Sequence, residues 1–541
     1  MKIFKYLKDN DAPVRGILLM TVLSGFANAL LLVIINIAAE MTSNQALEDR
    51  YFILYLIIFL LYAYTQKYAM TNTLILVEEF INKTRLRIAD KIRQVDLIYI
   101  ENADRGSMYT RLTQDSNIIS ESTLLLISAV QSLMVLVFSF IYLAFISMLS
   151  FVMTFFFLVI AIAAYIHYES GIIRKLKIVS EKESKFFSYF SHLLDGFKEI
   201  SINRAKNDDL FKNIETLSDE TENLRTDVGI QQINTLMFAR LSFYILLAML
   251  VFIVPLFHAS HADEIYKIST TVLFIIGPIG LVVSALPSAS KSNVALDNMY
   301  ALEEDLDKAI TDKGFNQPHK KPENFEHIIL EKVTFSYRDQ QNKTLFSIEP
   351  ISLNIAQGEL LFIVGGNGSG KSTLLKLITG LYQPETGRLL LDDELVGQKG
   401  YPVYRELFSI VFTDFHLFDK LYGVTVDDDN KVNNLLSMLQ LDKKTSYQDG
   451  EFTHLNLSTG QKKRLAFLAA MMEDKPIYIF DELAADQDPQ FRRFFYQTIL
   501  PDLKNQGKTI IAVTHDDKYF HVADRILKME EGKLLEYSEE G

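Results

Sequence analysis

Long apolar runs alternate with charged stretches over the first 300 residues, and the pattern changes after residue 325. Residues 16–39, 52–74, 123–146, 148–167, 235–257 and 268–287 are rich in Leu, Ile, Phe and Val and hold few charges. About 20 residues of helix cross the hydrocarbon core of a bilayer, so the pattern predicts six spans. Core helices of a soluble domain would show polar faces more often. Gly277, Pro278 and Pro287 interrupt the sixth run. Membrane helices tolerate such residues when neighbours satisfy the freed backbone groups.

Basic residues sort the connections. Lys2, Lys5, Lys8 and Arg15 precede the first run. Lys83, Arg85, Arg87, Lys91, Arg93, Arg105 and Arg111 separate the second from the third, and another basic set, from Arg174 to Arg225, separates the fourth from the fifth. The other three connections carry Arg50 alone. Positive residues stay in the cytoplasm, so both termini and two long loops are expected inside, with three short loops outside. Amphipathic spacing at 182–190 and 195–202 predicts that the long loops continue as helices. No cleavable signal peptide is expected. Ile3, Phe4 and Leu7 share one face of residues 1–10, as in a helix lying on the membrane surface, though a disordered tail fits too.

A polar stretch with Pro318 and Pro322 reads as a linker over 316–325. It separates an expected helical membrane domain, 1–315, from a domain over 326–541 in which strand, glycine loop, helix and strand follow one another. That order predicts an α/β fold.

Composition sharpens this division. Hydrophobic residues make up 49% of the 541 residues, too many for a disordered chain. The absence of cysteine excludes disulfide frameworks, cysteine-ligated zinc, iron–sulfur clusters and thiol nucleophiles. The net charge of -13 argues against general nucleic-acid binding. From residue 326 onward there are 24 Lys and Arg against 33 Asp and Glu, so the acidity belongs mainly to the α/β domain. The mean hydropathy of +0.12 belongs to the apolar runs.

The chemistry sits in that domain. Gly365-Gly366-Asn367-Gly368-Ser369-Gly370-Lys371-Ser372 fits the pattern of a phosphate-binding P-loop. A buried strand is predicted before it, over 360–364, and a helix after it, over 373–381. Gly365, Asn367, Gly368, Ser369, Gly370 and Thr373 would turn backbone N–H groups and a helix N-terminus toward ATP phosphates. Lys371 would reach the β- and γ-phosphates, and Ser372 would ligate Mg²⁺. A second apolar strand ends in Asp481 and Glu482. Asp481 would hold Mg²⁺ through its shell, and Glu482 would polarise the attacking water as general base.

Between them lies Leu457-Ser458-Thr459-Gly460-Gln461. Here the chain resembles the ABC transporter family, whose signature is LSGGQ, with Thr459 in place of a glycine. The resemblance covers the whole chain and implies further site residues. Tyr337 matches the aromatic residue that stacks on adenine. His515 matches the histidine that contacts the γ-phosphate. Ser458, Gly460 and Gln461 match the signature contact to ATP. Residues 485–488 match the D-loop, although Asp486 and Gln487 depart from the usual Ala-Leu. Thr413 stands where most members carry the glutamine that contacts Mg²⁺, and Asp414 or a water could substitute.

The blocks GELLFIVGGNGSGKST, FSIVFTDFHLFD, DELAADQDP and GFKEI resemble one branch, the cyclic-peptide and siderophore-peptide exporters. The Thr413 departure is shared by that branch. The resemblance implies a homodimer joined through the membrane domains and through two ATP sandwiches, each formed by one subunit's P-loop and the other's signature. It implies location in a bacterial inner membrane and short coupling helices near residues 103–108 and 203–208. It implies export of a peptide-like cargo, with a flippase for lipids or lipid-linked oligosaccharides as the alternative. A bacteriocin exporter with its own cysteine protease is not expected, because no cysteine is present and no domain is expected before the first run. Arg240, within the fifth run, either lines a cavity or snorkels to the interface.

Overall fold

The computed structural model describes residues 14–43, 48–103, 105–253, 265–310, 325–339, 341 and 343–537. The linker residues 316–324 and the first ten residues lie outside that set. The fold has two compact units.

The first unit is helical. Its helices are α1 (Val14–Ser43), α2 (Asp49–Ile92), α3 (Leu97–Asn102), α4 (Arg105–Thr110), α5 (Ser116–Ile146), α6 (Met148–Asp195), α7 (Phe197–Ile202), α8 (Arg204–Ala248) and α9 (Ile265–Ala309), with α3 grouping instead with the second unit. Among the described residues, four helices are long and apolar enough to cross a membrane: Arg15–Thr42, Asp49–Ile92, Met108–Ile146 and Ile265–Ala309. They carry the first, second, third and sixth predicted runs. The fourth and fifth runs fall on the shorter apolar stretches Met148–Ile160 and Arg240–Ile253, at one end each of α6 and α8. Pro278 and Pro287 sit inside α9 without ending it.

Small and polar residues bring these helices together. A Cβ on Gly25 would lie 2.6 Å from Met134 Cβ, so α1 and α5 approach too closely for any larger residue there. Ser24 donates to Gln66 Oε1 at 2.9 Å and accepts from Gln131 Nε2 at 3.0 Å, joining α1, α2 and α5. The long polar ends of α6 and α8 pair through charges, including Lys175 with Asp227 and Lys182 with Glu220.

The second unit joins residues 91–103 to the chain that follows Asp305. It contains the α/β fold expected from the strand–loop–helix order. Strands β1 (His327–Arg338), β2 (Thr344–Ala356), β4 (Thr386–Leu391) and β5 (Glu394–Leu395) form an antiparallel sheet in the order β2-β1-β4-β5. The main sheet has the order β12-β11-β3-β10-β9-β6. It uses β3 (Leu360–Val364), β6 (Phe408–Val411), β9 (Ile477–Asp481), β10 (Thr509–Val513), β11 (Arg525–Glu530) and β12 (Lys533–Glu536), while β7 (Tyr447–Gln448) and β8 (Glu451–Phe452) form a separate antiparallel pair. All are parallel except β12, which pairs antiparallel with β11. β3, β9 and β10 are buried along their whole length, which explains their unbroken apolar sequences. Two apolar cores flank this sheet, one around Leu436, Phe467, Phe480 and Phe495, the other around Leu330, Ile363, Leu374 and Tyr404.

Candidate ATP site

Ligands of open α/β sheets bind beyond the carboxyl ends of the strands. Here β3 leads into Gly365, β9 ends on Asp481, β10 leads to His515 and β6 leads to Thr413. Their order in the sheet therefore places four sequence-distant segments on one edge.

The loop after β3 has the geometry its glycines require. Gly365, Gly368 and Gly370 have φ of 148°, 75° and 106°. A Cβ on Gly365 would stand 2.2 Å from the carbonyl oxygen of Met529, so only glycine fits against β11. The helix that follows, α10 (Lys371–Ile378), opens two residues earlier than the pattern predicts. Lys371 is buried and folds back, donating to the carbonyls of Gly365 at 2.9 Å and Gly366 at 3.0 Å. Asn367 and Gly368 are exposed, and Thr373 is buried. The Ser369 hydroxyl is buried without a hydrogen-bond partner.

Ser372 Oγ donates to Asp481 Oδ2 at 2.9 Å, joining α10 to the end of β9. Burial pushes the Asp481 carboxyl above the usual range, and the neighbouring Glu482 charge adds to that push. Hydrogen bonds from Ser372 and Thr413 oppose it. Thr413 Oγ1 also donates to the Asp481 carbonyl at 3.2 Å. Asp414 is exposed and bonds no described residue, while Thr413 reaches the backbone at the end of β9.

Glu482 is half-buried. Its Oε1 lies 3.1 Å from His515 Nε2 and 3.9 Å from Lys371 Nζ. The structure thus brings Lys371, Ser372, Thr413, Asp481, Glu482 and His515 together. Tyr337, on β1, reaches the same helix from the other sheet. Its hydroxyl lies 3.4 Å from Thr373 Oγ1 and donates to Tyr382 at 3.1 Å.

Ser458, Gly460 and Gln461 lie at the start of α13 (Thr459–Glu473), which follows two intervening helices, α11 (Tyr401–Arg405) and α12 (Asp429–Met438). Ser458 caps α13 in a reciprocal pair: its Oγ accepts from Gln461 N–H, and its N–H donates to Gln461 Oε1. Gly460 has no room for a side chain, since a Cβ would lie 2.7 Å from the Asp486 carbonyl.

The family model described as ABC transporter matches residues 348–485. The ATP-binding protein SyrD of Pseudomonas syringae pv. syringae is 35% identical over 480 residues, 84% of this chain and 82% of SyrD. The chain belongs to the ABC transporter family. The energy-coupling factor transporter ATP-binding protein EcfA1 of Mycoplasma pneumoniae is 34% identical over 215 residues, 38% of this chain and 75% of EcfA1. A bacterial Atm1-family ABC exporter with ATP bound has the same fold, with a TM-score of 0.77 at 17% identity over 97% of this chain and 94% of that one. The chain thus has the fold of an ABC exporter, and as an ABC transporter it couples ATP hydrolysis to transport.

Some functional contacts are not legible in the sequence. The first coupling segment is expected near 103–108, but the element that docks on the ATPase fold is α3, Leu97–Asn102. Leu97 and Ile98 pack against the core beneath α10, and Glu101 accepts from Lys376 Nζ at 2.7 Å and from the Tyr382 hydroxyl. In the second long loop a short helix, α7, precedes residues 203–208, where α8 begins, and its Phe197 and Ile202 are exposed. The D-loop departures also have partners. Asp486 pairs with Lys463 at 2.7 Å, and Gln487 bonds both Arg464 and the Gly460 carbonyl.

Proposed function

We propose that this half-transporter works as a homodimer that exports a peptide, cyclic, lasso or siderophore-type, across a bacterial inner membrane. The observation that carries the ATP-driven part is the meeting of Lys371, Ser372, Asp481, Glu482 and His515 on one sheet edge. The peptide reading is supported by the four sequence blocks that resemble the peptide-exporting branch.

In this reading residues 326–541 form the ATPase domain and six spans form the membrane domain, with both termini cytoplasmic. Tyr337 stacks on adenine. Gly365, Asn367, Gly368, Ser369, Gly370 and Thr373 enclose the phosphates. Lys371 releases the carbonyls of Gly365 and Gly366 to meet the β- and γ-phosphates. Ser458, Gly460 and Gln461 present the capped start of α13 to the ATP of the other subunit.

The donor set fits Mg²⁺. A hydroxyl and a carboxylate stand 2.9 Å apart, and burial disfavours the bare Asp481 anion. Ser372 and Asp481 would hold the ion, and it would neutralise charge on the phosphate oxygens. Glu482 takes the proton of the attacking water, and His515, 3.1 Å away, orients that carboxylate beside the γ-phosphate. ATP then favours the closed dimer because it binds both halves, and hydrolysis removes the bridge.

Purified protein in proteoliposomes tests the cargo. Cyclic or lasso peptides should raise ATP turnover by several-fold. Headgroup-dependent lipid scrambling without peptide stimulation would favour a flippase instead.

A further inference from the structure

Glu482 stands in a backbone conformation that L side chains rarely adopt, with φ of 53°. Such strain persists only where neighbours hold it. Three bonds do so. Its N–H donates to the Val513 carbonyl of β10 at 3.2 Å, and its carbonyl accepts from the Ala485 N–H at 3.2 Å and, as the one side-chain donor, from Lys463 Nζ at 2.9 Å. Lys463 comes from α13, two residues beyond Gln461, and is 3% exposed. Its ammonium also meets Asp486 Oδ2 at 2.7 Å. A buried ammonium needs oxygen partners, and both of these lie on the turn that carries Glu482. Gln487 Nε2 adds a bond to the Gly460 carbonyl at 2.9 Å. The turn after β9 and the start of α13 are therefore fastened to one another at several points.

We propose that Lys463 is a positioning residue for Glu482. Its bond to the carbonyl holds the left-handed turn that aims the carboxylate toward His515 and Lys371. Among the described residues its hydrogen bond and ion pair go to the Glu482 carbonyl and to Asp486, so it acts on the Glu482 carboxylate through the backbone. The same helix opens with the Ser458 cap, so the element meant for the partner's ATP also sets the geometry of the base in its own subunit. The inference rests on the reading of Glu482 as general base.

The test compares Lys463→Met, Lys463→Gln and Glu482→Gln in the full chain reconstituted in lipid. Lys463→Met removes the donor and leaves Asp486, whose side chain is 52% exposed, to water. Misplacing a reacting group by a fraction of an ångström to one ångström costs up to about 100-fold, so kcat should fall roughly 10- to 100-fold, with KM for ATP within about 3-fold of wild type. Lys463→Gln keeps a donor and should recover kcat to within about 5-fold of wild type. Combining Lys463→Met with Glu482→Gln should cost nothing beyond Glu482→Gln, because the two act as a unit. If Lys463→Met does not fold, the double variant Lys463→Met/Asp486→Leu removes both charges and should show the same loss of kcat. Wild-type kcat in a folded Lys463→Met protein, or equal losses in Lys463→Met and Lys463→Gln, would overturn the inference while an inactive Glu482→Gln left the base assignment standing. Wild-type turnover in Glu482→Gln would overturn both.

Discussion

Asp481 is buried, and that burial sets the sign of its pH dependence. Its folded-state pKa lies above the unfolded value, so the protonated group favours folding. That contribution is present below about pH 4, near the unfolded carboxylate pKa, and is lost as pH rises through the folded pKa. Asp481→Asn does not titrate and keeps an acceptor for Ser372. It should therefore melt higher than wild type at pH 7, and the gap should close as the pH falls toward 4. Its ATP turnover should fall by roughly 100-fold or more, the scale of losing one strong electrostatic contact to a reacting group. Thermal melts across pH, read beside the turnover assay, check both halves. The role of such residues is legible in the sequence because the P-loop and the Asp-Glu strand end are local patterns. Lys463 and Asp486 are not, because each looks like an ordinary surface charge until the fold brings them within 2.7 Å.

At the scale of elements, α3 follows the second apolar run in sequence and bonds to α10, which under the proposed function makes it a coupling element. Hydrogen bonds run from Thr373 to Tyr337, from Tyr337 to Tyr382 and from Tyr382 to Glu101. Lys376 holds the other Glu101 oxygen and lies 5.0 Å over the Tyr382 ring. Glu101→Gln weakens this charged end and leaves the sheet edge intact. Basal ATP turnover should stay within about 2-fold, while peptide transported per ATP should drop roughly 5- to 10-fold, within the usual range of coupling energies. An unchanged transport-to-hydrolysis ratio would remove α3 from the coupling path. The placement of α3 escaped the sequence because six residues of helix carry little periodic signal, and Leu97 and Ile98 are fixed by contacts far along the chain. Long elements are more legible. The runs behind α1, α2, α5 and α9 are recognisable from apolar length alone, and even the two prolines of α9 do not divide it.

At the scale of the molecule, one P-loop and one signature motif share a chain and open two different helices, α10 and α13. The P-loop closes the edge of β3, while the signature caps α13 and is tied to its own D-loop. In the proposed homodimer a second copy would complete the site, giving two ATP sandwiches per dimer and a closing force on both membrane halves. This whole account turns on one carboxylate at the meeting of β9, β10 and α10. The most direct test is ATP turnover by the Glu482→Gln protein in proteoliposomes, with ATP binding measured alongside. The account predicts retained binding and a loss of turnover of about 100-fold or more. Turnover at the wild-type rate would contradict it.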